Sequence, residues 1–207
     1  MPHLQKLGGI AAFINVAVAI ATLAVASMLI GFTAMSDPSK LAELAVHNPT
    51  PLLIQDGLKF VSAVISTVLI LALANYLHRD SSILLSIATG FGFFSIFCLA
   101  VNAGLSLYAI SHATVLAEGA GRMGEQLSHM IGILAIAVMI CDGLWYLLMS
   151  WTALKNQGLP KRLCYLGLGI GTLSLVPPLG IIVLLLGIVW SAWIGRVLLR
   201  ETQSVYP

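Results

Sequence analysis

Six apolar runs, each long enough or nearly long enough to cross a bilayer, fill most of this chain of 207 residues. A membrane-spanning helix needs about 20 apolar residues, so the runs leave no room for a separate soluble domain. Hydrophobic residues make up 59% of the sequence and charged residues 9%, whereas a soluble domain usually carries about 25% charged residues. The sequence therefore predicts an all-α fold: one integral membrane domain, residues 1–207, that is a polytopic bundle of six transmembrane helices.

The boundaries of the spans follow from the residues between the runs. Thr50 and Pro51 have the pattern of an N-cap and a first helical turn. Pro177 and Pro178 separate the fifth span from the sixth, because a proline pair interrupts helical hydrogen bonding. The fifth span is short, so it must tilt little or thin the bilayer. The predicted spans are about residues 8–34, 51–77, 83–110, 127–154, 163–176 and 179–199.

Positive charge is distributed unequally between the two sides of this topology. With six spans both termini share one side, and that side holds most of the ten Lys and Arg residues. The positive-inside rule assigns this side to the cytoplasm, which predicts a multi-pass protein of a cell inner (plasma) membrane with both termini cytoplasmic. The net charge of +2 is too small to suggest a nucleic-acid partner. The cations on this side are Lys6, Arg79, Lys155, Lys161, Arg162, Arg196 and Arg200.

The first outer loop contains a short helical pattern. Asp37 and Pro38 begin it, and Asn48 and Pro49 end it. The pattern indicates either an amphipathic helix on the outer membrane surface or an ordinary surface loop.

Asp142 is the acid that lies at the centre of a span, the fourth. A carboxyl group at that depth costs about 2.5–3.5 kcal/mol on insertion scales, so we expect it to face the bundle. No Lys or Arg lies at the same depth, which favours the neutral acid. Two interpretations stay open: an intramembrane proton or cation site, and a structural acid that joins helices by hydrogen bonds. Its candidate partners at similar depth are Thr22, Ser66, Thr67 and Ser95.

Imidazole and carboxylate groups also cluster near the predicted outer face. Glu125 and His129 are four residues apart, His112 ends the third span, and His47 lies in the first outer loop. Such groups can bind a divalent transition metal if the loops converge; otherwise they contact water and headgroups. The sequence contains no other cofactor signal, so the cofactor stays unknown.

Small residues at four-residue spacing mark faces where helices can approach closely. Lipid gives apolar helices no hydrophobic reason to associate, so such faces indicate helix packing. They fit packing within the bundle, or an interface with a protein partner or a second copy. These residues are Gly187, Ser191 and Gly195 on the sixth span, and Gly167 and Gly171 on the fifth.

Two short segments carry a family resemblance. Residues 7–12, LGGIAA, and residues 190–196, WSAWIGR, together with the long first outer loop and the six-span layout, resemble a bacterial family of six-helix integral membrane proteins of unknown function. The layout covers nearly the whole chain. The resemblance implies a prokaryotic plasma membrane and gives no residue a role.

Three functions are compatible with these features. Missing catalytic motifs and abundant small-residue faces favour an accessory or scaffold subunit of a membrane assembly, without a catalytic centre of its own. A small-solute or ion transporter that uses Asp142 is the first alternative, and a metal-dependent membrane enzyme with an outer-face His/Glu site is the second. The expected partners are the lipid bilayer and a protein partner or second copy.

Overall fold

The computed structural model describes residues 2–31, 37–77, 83–115 and 121–204, and all regular structure in them is helical. Residues 32–34, at the predicted end of the first span, and Arg79 lie outside the described residues. The α-helices are α1 (Pro2–Ala24), α2 (Pro38–His47), α3 (Thr50–Leu77), α4 (Ile83–Ser111), α5 (Gly121–Lys155), α6 (Lys161–Ser174) and α7 (Gly180–Ser204).

Five helices in the described residues are long and apolar enough to cross a membrane: α1 with its continuation to Ile30, α3, α4, α5 and α7. α6 has only 14 residues. At about 1.5 Å per residue it extends roughly 21 Å, less than the roughly 30 Å of a hydrocarbon core. The chain is therefore a helical bundle with five membrane-compatible helices, and the fifth predicted span is too short to cross by itself.

The helices other than α2 pack in chain order and close into a ring. α1 packs on α3, α3 on α4, α4 on α5, α5 on α6, α6 on α7, and α7 returns to α1. At this last contact a Cβ placed on Gly195 would lie 3.1 Å from the Gly9 carbonyl oxygen and 3.1 Å from the Ala12 Cβ. α1 therefore begins where α7 ends. We call this end of the bundle the termini side, and the opposite end, where α2 connects α1 to α3, the α2 side.

α1 ends differently from a regular α-helix. Val25–Ile30 continue it as a π-helix, which stops at Gly31. Gly31 has a φ of +83° and donates its N–H to the Ala26 carbonyl. Side chains other than glycine rarely adopt this φ, so the glycine allows the chain to leave the helix here.

α2 covers the short helical pattern in the loop after the first span. The sequence leaves a helix and an ordinary loop both open there, and the structure has the helix. Asp37 caps it, since its Oδ1 accepts a hydrogen bond from the Ser39 hydroxyl at 2.6 Å and another from the Ser39 N–H at 3.0 Å. These two hydrogen bonds hold the pKa of the Asp37 carboxyl below its usual value. Asn48 ends the helix, before a proline.

The turn between α6 and α7 lies beside the middle of α5. A Cβ on Gly143 would lie 2.9 Å from the Ser174 Cβ at the end of α6, and a Cβ on Gly180 would lie 3.8 Å from the Met139 side chain. α6, the short 3₁₀ turn Pro177–Leu179 and α7 thus form a hairpin that reaches the level of Met139 and Gly143.

The core is concentrated on the termini side. Trp145 and Tyr146 of α5 and Trp190 of α7 pack edge to face, with ring centroids 4.7–5.8 Å apart. Each such pair contributes about 0.5–1.5 kcal/mol beyond its buried area. The largest fully buried side chains besides Trp190 are Leu73, Met149, Cys164, Leu163, Ile170, Ile194 and Leu198.

Candidate intramembrane site

Asp142 lies on the inward face of α5, at the depth where the α6–α7 hairpin turns. It is half-buried, whereas Cys141, Trp145 and Tyr146 beside it are buried. Its carboxyl group faces α4, where the Ser95 hydroxyl is its hydrogen-bonding partner. Ser95 itself is 4% exposed, so the pair joins the two helices inside the bundle.

The Ser95 hydroxyl has a second partner. Its oxygen lies 3.3 Å from the Val138 carbonyl oxygen of α5, to which it donates. A serine hydroxyl has one hydrogen but can also accept. While that hydrogen is given to Val138, Asp142 must be the donor to Ser95, which requires the neutral acid. If Asp142 ionises, the same hydroxyl can turn and donate to the carboxylate, so the site accommodates both protonation states.

The other predicted partners do not meet Asp142. The Thr22 hydroxyl donates to the Val18 carbonyl, and the Thr67 hydroxyl donates to the Ala63 carbonyl, both at 2.9 Å within their own helices. Ser66 is half-buried on α3. Of the four hydroxyl groups chosen by depth, only that of Ser95 contacts the acid.

Thr22 also lies at a different depth from the one predicted. Gly8 lies against Ala72, and Asn15 accepts a hydrogen bond from Ser62 at 3.4 Å. Because α1 and α3 are antiparallel, two further turns of α1 place Thr22 close to the level of Asp56, nearer the α2 side.

The bundle contains more helices on the termini side of Asp142 than on its α2 side. On the termini side α1, α3, α4, α5, α6 and α7 surround the core, whereas only α1, α3, α4 and α5 continue past the hairpin turn to the α2 side. Asp142 keeps part of its surface exposed at this transition.

A second charged group was missed by sequence reasoning. The Asp56 Oδ1 on α3 lies 2.7 Å from the Lys59 Nζ. That ammonium group also donates to the Asn102 Oδ1 on α4 at 3.1 Å, and the Asn102 Nδ2 donates to the Ile131 carbonyl on α5 at 2.8 Å. The signal was an acid and a lysine three residues apart inside an apolar run, a spacing that puts both on one helix face.

The predicted small-residue faces lie inside the bundle. Gly195 contacts α1, Gly187 faces the Tyr146 hydroxyl, and Ser191 is buried between them. On α6, Gly167 lies against Ser150 and Trp190, and Gly171 against Gly143 and Leu147. These five positions thus hold α6 and α7 against their neighbours.

The structure does not bring the predicted metal ligands together. The His47 Nδ1 hydrogen-bonds to the Glu43 carbonyl, and His112 stacks on Tyr108 in its own helix with centroids 4.3 Å apart. Glu125 and His129 are exposed on α5. Within the described ranges no three His, Cys, Asp or Glu side chains are close enough to hold a metal ion. The imidazoles of His47 and His112 interact with their own helices instead of with a common centre.

Comparisons with protein-family models, curated proteins and solved structures found no match to this chain.

Proposed function

We propose that the protein transports protons or small cations across the membrane, with Asp142 as the site that binds them. The observation that carries this proposal is a half-buried aspartate in the middle of a membrane helix. Its carboxyl group is paired with a hydroxyl group that can donate to the carboxylate or accept from the neutral acid. An intramembrane acid is costly and commonly marks an ion or proton pathway.

The surroundings of Asp142 support binding over a purely structural role. Its partner Ser95 is neutral, so no fixed counter-charge holds the carboxylate in one state. Asp142 keeps part of its surface exposed at the depth of the hairpin turn. A helix-joining role alone would be met equally well by an amide side chain.

The proposal includes an orientation. The described cations on the termini side are Lys6, Lys155, Lys161, Arg162, Arg196 and Arg200. By the positive-inside rule this side is cytoplasmic, with α6 and α7 as the last two membrane segments and the α2 side outside. The membrane is then a cell inner (plasma) membrane.

The test is proton flux into liposomes that contain the purified protein, driven by a pH gradient and followed with an internal pH dye. Asp142→Asn keeps hydrogen-bonding capacity but cannot carry a proton, so we expect flux to fall by about 100-fold, the scale of a lost proton-transfer group. Glu125→Gln, an exposed acid on the same helix, is the matched control and should keep the flux. Equal flux in wild type and Asp142→Asn, with both folded, would contradict the proposal.

An accessory subunit is the second candidate function, favoured by one face of α4. Phe94 and Phe97 are 54% and 63% exposed, and a Cβ on Gly90 or on Gly104 would meet nothing within 4 Å. Large exposed aromatic side chains beside glycines that have no neighbour suit close contact with another helix. A photo-crosslinking residue at Phe97 in native membranes should then yield one defined protein adduct, whereas the same residue at the exposed Val64 of α3 should not. Identical patterns at both positions would exclude this role for the face.

A further inference from the structure

The ends of α5 and α6 on the termini side carry positive charge that no nearby acid offsets. Lys155 ends α5, Lys161 begins α6, and both are exposed. The sequence contains no Asp or Glu from residue 143 to residue 200. Neither lysine forms an ion pair with another described residue. The two ammonium groups therefore have no counter-charge within the part of the chain that forms the end of α5, α6 and α7.

The cations of α6 do not stabilise their own helix. α6 is described throughout, and its first turn contains Lys161 and Arg162 but no acid and no side-chain cap. The N-terminus of a helix is the positive end of its dipole, where cations are unfavourable and anions favourable. The positive-inside rule explains an excess of cations on one side, but it does not require them at this end of a helix. Binding of an anion would offset this cost.

Two aromatic side chains lie one turn deeper in the membrane than the lysines. Trp151 is four residues before Lys155 on α5, and Tyr165 is four residues after Lys161 on α6. Because α5 and α6 run antiparallel, both rings lie toward the bundle centre from the lysines, by about 6 Å at 1.5 Å per residue. Trp151 is 55% and Tyr165 63% exposed, so both rings face out of the bundle.

On α5 these residues lie on the outward side of the contact with α6. Ser150 is the contact position, since it lies against Gly167 of α6. Successive residues of a helix are about 100° apart. Met149, one residue before Ser150, is buried in the core, whereas Trp151, one residue after it, is exposed. Lys155 follows Trp151 by about one turn and shares its face.

α6 has the same arrangement. Gly171 is a contact position with α5, Ile170 before it is buried, and Thr172 after it is exposed. Tyr165 and Lys161 are seven and eleven residues before Thr172, which are close to whole numbers of turns. Because the two helices are antiparallel, their outward faces lie on the same side of the contact. We call the surface formed by Trp151, Lys155, Lys161 and Tyr165 the α5–α6 groove.

The surface deeper along this outward side is apolar. Ile140 on α5, and Leu175 and Val176 just after α6, are exposed side chains without charge or hydrogen-bonding groups. From the termini side inward, the order is therefore cationic, aromatic and aliphatic. A phospholipid has the complementary order of phosphate, glycerol backbone and acyl chains.

We propose that the α5–α6 groove binds an anionic phospholipid, with its phosphate between Lys155 and Lys161 and its glycerol backbone against Trp151 and Tyr165. Lysine binds phosphate as a point charge, and Trp and Tyr rings settle at the membrane–water interface. Basic sites between membrane helices recognise anionic lipid headgroups in the same way. The inference requires a bilayer around the bundle, but it depends neither on proton transport nor on the orientation of the protein.

The experiment is quenching of tryptophan fluorescence by phospholipids with brominated acyl chains, with the full-length protein in phosphatidylcholine vesicles. Bromine quenches only at close range, so Trp151 reports lipid in the groove. Brominated phosphatidylglycerol is compared with brominated phosphatidylcholine at equal mole fractions. The test variant is Lys155→Gln/Lys161→Gln. Its matched control is Lys6→Gln/Arg200→Gln, which removes two exposed cations at the same end of the bundle.

We expect the wild type to prefer phosphatidylglycerol. Each lysine near an anionic surface contributes a factor of about five, so the preference should fall by about 25-fold in the test variant and stay near wild type in the control. Equal losses in the two double variants would indicate a response to surface charge in general and would overturn the site, as would an unchanged preference in the test variant.

Two single variants locate the bound lipid. Trp151→Phe should abolish the preferential quenching, whereas Trp193→Phe on α7 should keep it. The reverse result would place the lipid on another face and overturn the inference.

Inorganic phosphate distinguishes a lipid from a free anion. Because the acyl chains also contact the protein, we expect inorganic phosphate to relieve the quenching no more than sodium chloride at the same ionic strength. Greater relief by phosphate would show that the groove takes a free anion, and would overturn the assignment to a lipid.

Discussion

At the scale of single residues, glycines determine how closely α6 packs on α5. A Cβ on Gly171 would lie 2.7 Å from the Gly143 carbonyl oxygen and 2.9 Å from the Leu147 backbone nitrogen. Backbone atoms cannot turn away as a flexible side chain can, so any larger residue must push α6 away from α5. On the same helix, a Cβ on Gly169 would meet nothing within 4 Å.

Gly171→Ala should therefore destabilise the bundle by about 1–3 kcal/mol, the usual cost of overpacking. Gly169→Ala should be neutral or slightly stabilising, because alanine is favoured over glycine in a helix by about 0.5–1 kcal/mol. Thermal unfolding in detergent, with both variants purified in parallel, measures the difference. Equal melting temperatures would show that α5 and α6 are not packed as described.

At the scale of elements, α2 depends on the protonation of its cap. The pKa of Asp37 is lowered by hydrogen bonds from Ser39, so the cap stabilises α2 above the unfolded value of 3.8 and is lost as pH falls through the lower folded value. We expect the Ser39 amide resonance to hold steady from neutral pH down to about pH 5 and to shift below about pH 4. Asn is an equally good N-cap, so Asp37→Asn should keep α2 and abolish this shift. The same shift in Asp37→Asn would assign it to another group.

The elements themselves were largely predictable, because apolar runs bounded by proline and polar residues leave few alternatives in lipid. The depth of the α6–α7 turn was not, since it is set by contacts of Gly143 and Met139 with residues more than thirty positions away. The site residues, too, were only partly predictable from the sequence. Membrane depth, estimated from the sequence, was enough to select Asp142 and Ser95. It did not show that the hydroxyl groups of Thr22 and Thr67 donate to carbonyl groups of their own helices. Asp56 was overlooked because it lies near the start of its span, where charges usually reach water.

At the scale of the whole molecule, the proposed orientation is directly testable. Ser39 on α2 and Gln157 between α5 and α6 lie at opposite ends of the bundle and are both exposed. With Cys98, Cys141 and Cys164 buried, single cysteines at these positions should react selectively with an impermeant maleimide. We expect Ser39→Cys to be labelled in intact cells and Gln157→Cys only after the membrane is opened. Labelling of both in intact cells would contradict the orientation.

The contact of α7 with α1 has a consequence for how the protein is made. The ribosome delivers α1 first and α7 last, yet Gly9 and Ala12 on α1 are matched by Gly195 on α7. Until α7 has been translated, this strip of α1 lacks its Gly195 partner. The packing of α1 at Gly9 and Ala12 can therefore be completed only after α7 has entered the bundle.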